Sequence, residues 1–377
     1  MNLIKTLLSI LSVVLFTGCT TTVNKNEPEQ IAQSAETKPL NIILLIGDGM
    51  GLSQVTASFF WGENQNAFQR FPHVSLIKTS SSREKITDSA AGATAFSAGI
   101  KTYNGAIGVD DNIKPVETVL EMAEKKLQKT GLVATSSITH ATPASFFAHV
   151  ERRSMEEEIA KAMAGSGVDF FAGGGLKFFH HRSDQTSLLP GLIDAGYELD
   201  TTSLGSQHDI SKKYAYLLDS TGMPRMLDGR GDFLPNATKQ AIDYLSQNEQ
   251  GFFLMVEGSQ IDWGGHGNNA EYLKTELLDF NNAINIALDF AEKNGNTLVI
   301  VTADHETGGY TLSSTPKTGE NGLPYSDYNE ITGTFSTGGH SATLIPVFTY
   351  GPGSEKFQGI YENTGIFDKM LEIQGWK

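Results

Sequence analysis

A single cysteine occurs in 377 residues. One thiol can build neither a disulfide scaffold nor a cysteine-rich zinc module. Positive charge is also scarce, with 28 Lys and Arg against 43 Asp and Glu and a formal charge of −15. That balance argues against a protein that coats nucleic acid, which needs a basic stripe, and against electrostatic attraction to anionic lipid. The apolar run at residues 7–16 is too short to cross a bilayer. Internal repeats at solenoid periods and extended low-complexity segments are lacking as well. Apolar runs that recur along the chain exclude wholesale disorder. The length suits two or three domains, or one large α/β domain with an ample core.

Residues 1–18 read as an export signal, with Lys5 at the positive end, the apolar run, and the small pair Thr17-Gly18. The order Leu15-Phe16-Thr17-Gly18-Cys19 resembles a bacterial lipobox, with Phe16 where Leu is usual, and the acylated Cys19 would anchor the protein to a membrane. Thr20 in place of Asp resembles sorting to an outer membrane. Residues 19–38 are polar and without apolar periodicity, as a flexible tether would be. The expected organisation is a lipoprotein-type signal over 1–18, a tether over 19–38 and a catalytic domain over 39–377, exported to the periplasm or outer membrane.

Short, almost continuously apolar runs at 41–46, 74–79, 131–136, 252–256, 298–302 and 345–350 predict strands buried on both faces. Helical stretches at 89–98, 115–129, 155–164, 237–245 and 272–292 lie between them. This alternation predicts an α/β fold: a central, mostly parallel sheet flanked by helices on both faces, in one large domain. Residues 165–232 are less regular and read as a small irregular insertion with short elements of its own. Its Gly173-Gly174-Gly175 run lacks the Lys-Ser/Thr of a phosphate loop and reads as a tight loop. His180 and His181 lack partner spacing and read as solvated.

In such sheets ligands gather beyond the carboxyl ends of the strands. Asp48, between Gly47 and Gly49 after the first strand, could hold a metal or cap the next helix, and the residues alone leave both open. Asp304-His305-Glu306 follow the strand at 298–302, and a turn there lets carboxylate and imidazole converge as a zinc-type donor set. Glu257, Asp262 and His266 follow the strand at 252–256. Asp262 and His266, four apart, fit one helical face or a compact turn. His340 follows two glycines before the last strand. Thr87 or Asp88 can cap a helix of small residues with Ser89 in its first turn, where free N–H groups and the dipole favour an alkoxide or a phosphate. The Gly-x-Ser-x-Gly elbow of α/β-hydrolases is absent around Ser89.

The runs 46–51 (Ile-Gly-Asp-Gly-Met-Gly), 87–91 (Thr-Asp-Ser-Ala-Ala), 140–144 (His-Ala-Thr-Pro-Ala), 256–258 (Val-Glu-Gly), Asp262 with His266, 302–306 (Thr-Ala-Asp-His-Glu) and 338–340 (Gly-Gly-His) together resemble the alkaline phosphatase family in residue and in order. The short length is similar to its compact, cold-active bacterial branch. The resemblance implies hydrolysis of phosphate monoesters to alcohol and inorganic phosphate at alkaline pH, through a phosphoserine on Ser89. It implies one zinc on Asp262, His266 and His340, and a second on Asp48, Asp304 and His305. A magnesium site would use Asp48, Thr142 and Glu257. Arg153 would clamp two phosphate oxygens, with Asp88 as its orienting neighbour. The sequence by itself could equally place Arg153 as a surface charge beside Arg152. The family also implies small phosphomonoester substrates and a homodimer.

Two positions depart from the commonest bacterial pattern. His140 stands where many members carry Asp, which opens the third site to zinc as well as magnesium. Trp263 stands where many carry Lys, which removes a positive charge near the phosphate. Ser89, in place of Thr or a formylglycine precursor, disfavours phosphodiester and sulfate-ester members of the superfamily. A surface lipoprotein that only binds phosphate or metal would not need an activated serine.

Overall fold

A computed structural model describes residues 40–62 and 66–377. The signal sequence, Cys19 and the tether lie outside the described residues. The strands in chain order are β1 (Asn41–Gly47), β2 (His73–Lys78), β3 (Lys129–Ser137), β4 (Phe170–Gly174), β5 (Tyr197–Asp200), β6 (Lys213–Leu217), β7 (Phe252–Gly258), β8 (Thr297–Thr302), β9 (Glu306–Thr307), β10 (Thr311–Thr318), β11 (Pro324–Thr334), β12 (His340–Ser341), β13 (Ile345–Tyr350) and β14 (Ile360–Glu362). The helices are α1 (Leu52–Trp61), α2 (Ser89–Ala98), α3 (Val119–Lys125), α4 (Ala141–Ala144), α5 (Glu156–Met163), α6 (Leu176–Phe179), α7 (Leu189–Asp194), α8 (Phe233–Leu245), α9 (Gln260–His266), α10 (Ala270–Asn294) and α11 (Gly365–Gln374).

Ten strands form one sheet in the order β14-β2-β13-β8-β1-β7-β3-β4-β6-β5. Only β13 runs against the others, pairing antiparallel with β2 and β8. Successive strand residues point to opposite faces. All seven residues of β1, all seven of β7 and all six of β8 are buried, so the centre of the sheet is covered on both sides. The six strands expected from apolar runs all lie in this sheet, and α2 spans 89–98 as expected. The helix expected over 115–129 is shorter, because Thr118 starts it with a capping box and Leu127 takes a positive φ.

The segment 165–232 is not an irregular insertion. It carries β4, β6 and β5, which extend the parallel sheet at its far edge. Its strands are short and interrupted by polar turns, so their apolar runs are too brief to read as strands. Gly173 and Gly174 belong to β4, and only Gly175, with φ 106°, makes the turn. A Cβ on Gly174 would meet the Thr221 carbonyl at 2.0 Å, so this run serves close packing. An exposed hairpin of β10 and β11 stands apart from the main sheet.

Candidate active site

The parallel strands converge their carboxyl ends on one rim, and β13, being reversed, brings its beginning to the same rim. Asp48 lies just past β1, Glu257 near the end of β7, Asp304 and His305 past β8, His140 and Thr142 past β3, and His340 ahead of β13. Asp48 does not cap α1, whose N-cap is Gly51 without a side-chain bond, so the carboxylate is free for the site. Asp88 is the N-cap of α2, its Oδ1 accepting from the Ala91 N–H at 3.0 Å, which puts Ser89 at the first helical position. Gly92 lets α2 approach closely, since a Cβ there would lie 2.9 Å from the Cβ of Asp304.

Ser89 Oγ lies 3.1 Å from His305 Nε2 and 3.4 Å from both carboxylate oxygens of Asp48. His305 Nε2 is in turn 3.4 Å from Asp48 Oδ1 and from Asp304 Oδ2. Asp304 Oδ1 accepts from the N–H groups of Gly49 and His305, while its buried Oδ2 makes no hydrogen bond. Beside this group the His305 and His340 rings stack with centroids 3.5 Å apart. His340 Nδ1 is 2.9 Å from the Thr87 carbonyl and His266 Nδ1 is 2.7 Å from the Gly338 carbonyl. A carbonyl only accepts, so both Nδ1 atoms carry a proton, and in the neutral rings both Nε2 atoms carry a lone pair. Those two Nε2 atoms face each other at 3.2 Å, with Asp262 Oδ2 3.4 Å from that of His266. Two facing ring nitrogens beside a carboxylate can share a proton or a metal ion, and N,N,O is a donor set suited to zinc.

A third cluster brings Asp48, His140 and Glu257 within 4.8 Å. Glu257 Oε2 accepts from Ser259 Oγ at 2.6 Å and Ser136 Oγ at 3.2 Å, whereas Oε1 and the nearby Thr142 Oγ1 are buried without a hydrogen bond. His140, expected to modulate from nearby, stands in the cluster itself. Its Nε2 accepts from Arg153 Nη2 at 3.2 Å, and its Nδ1 is buried and unpaired. Arg153 Nη1 also donates to Asp88 Oδ2 at 3.1 Å. Trp263 meets His140 edge-on.

The electrostatics fit the same reading. Burial, then the charges of Asp304, Asp262 and Glu257, lift the Asp48 carboxyl well above its usual range, with Arg153 opposing. Burial likewise raises Asp304, and pushes Glu257 up to about 7. Burial holds His305 and His140 down at about 3, so both imidazoles are neutral and able to ligate. Buried carboxylates that resist ionisation together, neutral imidazoles and orphaned oxygens fit divalent cations.

The structure brings Asp48, Asp88, Ser89, His140, Thr142, Arg153, Glu257, Asp262, Trp263, His266, Asp304, His305 and His340 to this rim, whereas Glu306 accepts from Gln54 Nε2 and the Tyr310 N–H instead. The sequence did not single out the hydroxyls that support it: Ser136 and Ser259 behind Glu257, and Thr307, whose Oγ1 lies 2.5 Å from Asp262 Oδ1 and 3.2 Å from His305 Nδ1. The one signal for Ser259 and Thr307 is position, two residues after Glu257 and two after His305.

The profile of the family described as alkaline phosphatase matches residues 39–332. Alkaline phosphatase 4 of Bacillus subtilis is 34% identical, with 97% of this chain and 95% of that protein aligned. The structure of alkaline phosphatase from the Antarctic bacterium TAB5 is 55% identical, covers 90% of this chain and 99% of its own, and superposes with a TM-score of 0.86. The cold-active alkaline phosphatase of a psychrophilic Shewanella is 30% identical, over 89% of this chain and all of its own, with a TM-score of 0.78. A mutant of the TAB5 enzyme has magnesium bound in its M3 site.

Proposed function

Because this chain belongs to the alkaline phosphatase family, a family of metal-dependent phosphomonoesterases, we propose that Ser89 is the nucleophile and passes through a phosphoserine. The carrying observation is the place of Ser89 Oγ, at the first position of α2 and within 3.4 Å of both Asp48 and His305. Asp262, His266 and His340 would hold one zinc, and Asp48, Asp304 and His305 a second. Asp48, Glu257 and Thr142, with His140 beside them, would hold a third ion, magnesium or zinc. The magnesium in the M3 site of the TAB5 mutant supports an ion at the third position. When bound, such ions act as Lewis acids that lower the pKa of the serine hydroxyl and stabilise charge on the entering and leaving oxygens.

The chain's own groups then account for the two displacements. Ser89 Oγ forms a bond to phosphorus as the ester P–O bond breaks and the alcohol departs. Water then forms the new P–O bond as the Ser89 O–P bond breaks, releasing inorganic phosphate. The N–H groups at the start of α2 favour negative charge on Ser89 and on its phosphoryl group. Arg153 presents a planar fork to two phosphoryl oxygens, which a lysine could not reproduce. Asp88 holds Arg153 while also capping α2, so clamp and nucleophile share one anchor.

The test is release of an aryl alcohol from its phosphate at alkaline pH, with and without chelator. Ser89→Ala is expected to lower kcat by on the order of 10³-fold or more. Acid quenching should trap phosphate on the wild-type chain and none on the variant. Full activity in Ser89→Ala, or activity indifferent to chelator, refutes the reading.

Export and acylation at Cys19 rest on the sequence alone, and Cys19→Ala should move the protein from the membrane to the soluble fraction. A homodimer is supported by α1, whose ten residues carry no charge and expose Leu52, Phe59 and Phe60 on one face. On a chain of charge −15, two copies meet most easily where like charges are missing. Phe60→Glu should shift the mass measured by light scattering from dimer to monomer.

A further inference from the structure

We propose that Thr307 is a positioning residue whose single hydroxyl locks two neighbouring ligand groups together, donating to Asp262 and accepting from His305. The proposal rests on the reading of Asp262–His266–His340 and Asp48–Asp304–His305 as two ion sites. Thr307 Oγ1 lies 2.5 Å from Asp262 Oδ1 and 3.2 Å from His305 Nδ1. A hydroxyl has one proton, and an ionised carboxylate only accepts, so the proton goes to Asp262. Oγ1 can then only accept from His305, which requires Nδ1–H. A neutral imidazole has one N–H, so Nε2 is left bare. That atom is the one 3.1 Å from Ser89 Oγ and 3.4 Å from Asp48 Oδ1. His266 and His340 have their tautomers set by backbone carbonyls. His305 has its tautomer set by a side chain that simultaneously orients the neighbouring group's carboxylate.

The surroundings are built around this hydroxyl. Thr307 is fully buried. Its N–H donates to the Gly49 carbonyl at 3.1 Å, and its carbonyl accepts from Gln54 Nε2 at 2.9 Å. It pairs with His340 across β9 and β12. Glycine at 49 and 265 makes room: a Cβ at 49 would lie 2.7 Å from Thr307 Oγ1, and one at 265 would lie 3.0 Å from both Thr307 Cβ and Cγ2. With backbone and methyl held on these sides, the hydroxyl is confined between Asp262 and His305.

The experiment compares full-chain wild type, Thr307→Val, which keeps the shape and loses the hydroxyl, and Thr307→Ser, which keeps the hydroxyl. Zinc affinity is read by competition with a chromogenic chelator, and the His305 tautomer by ¹⁵N imidazole spectra of zinc-loaded wild type. Val is expected to weaken zinc binding by about 10- to 100-fold, and Ser to restore it to within roughly threefold, as for other groups that orient metal ligands. The spectra should place the His305 proton on Nδ1. A Val variant that binds zinc as tightly as wild type, or a proton on Nε2 in loaded wild type, overturns the proposal. The second readout needs no variant, so a misfolded Val chain does not shield it. Wild type that takes up no zinc would instead overturn the two-ion reading beneath it.

Discussion

Trp263 occupies the position after Asp262, and its ring meets that of His140 at 6.2 Å between centroids and 80° between planes. Gly222 leaves the space it fills, since a Cβ there would come 2.8 Å from the indole. An indole adds bulk beside the third cluster but no charge, which leaves Arg153 as the cation proposed to hold product phosphate. Trp263→Lys should therefore tighten phosphate inhibition by roughly tenfold, about 1.4 kcal/mol, in the range of one charge-assisted hydrogen bond. Inhibition constants for inorganic phosphate, measured for both forms at one alkaline pH, decide it. An unchanged constant would show that position 263 does not reach the product. The same chemistry explains why the residues proposed to touch substrate or ion were legible and their supports were not. Ser89, Asp48 and His305 announce themselves by reactive type at strand or helix ends, whereas Ser259 and Thr307 are ordinary hydroxyls whose meaning is a distance across the fold.

Among the described elements, α10 packs against α9 behind the rim. Tyr272 at its start donates to Gln260 Oε1 at 2.7 Å and so ties it to α9, which carries Asp262 and His266. Further along, Glu276 and Asp279 are buried and share Arg230 Nη2, with Asp279 Oδ2 at 2.7 Å. Removing the cation strands two buried carboxylates, and Arg230→Ala is expected to lower stability by about 3–5 kcal/mol in urea unfolding. A loss below 1 kcal/mol would mean that water reaches both acids. At the opposite end of the sheet, Glu124 on α3 accepts from Thr130 Oγ1 at the start of β3, and burial, with Asp169 nearby, pushes its carboxyl up to about 7. A carboxyl raised in the folded state favours folding below its unfolded pKa near 4.5, and that contribution is lost as pH rises through about 7. Glu124→Gln should thus gain melting temperature relative to wild type between pH 4.5 and 7, and hold a constant advantage above. A difference flat across that range would refute the burial of this charge. Elements also differ in how openly the sequence shows them. The central strands β1, β7 and β8 are unbroken apolar runs. The edge strands β4, β6 and β5 are short, and their pairing order departs from chain order, so nothing local marks them as part of the same sheet.

For the whole molecule, the surplus of acid has two destinations. Much of it is surface charge, some in pairs such as Arg70 with Asp289 and Glu292. A smaller part is concentrated at one buried rim, where Asp48, Asp262, Asp304 and Glu257 lie within each other's fields and Arg153 opposes them. Composition could exclude a nucleic-acid coat but could not show that negative charge is focused inward, because a count of carboxylates carries no positions. That focus makes folding and ion binding one equilibrium. An ion present at a thousand times its dissociation constant stabilises the fold by about 4 kcal/mol per site. Chelation should accordingly lower the melting temperature by on the order of 10 °C. Zinc should restore most of the loss, and magnesium alone only part, since the paired imidazoles of His266 and His340 suit zinc better. The crossing variant is Asp48→Asn, which removes one of the repelling charges together with the proposed shared ligand. In chelated protein it should melt higher than wild type, and in zinc-loaded protein lower. Calorimetry of both forms in both states checks the reversal, and a variant that melts lower in each would show that Asp48 serves packing and not the ions.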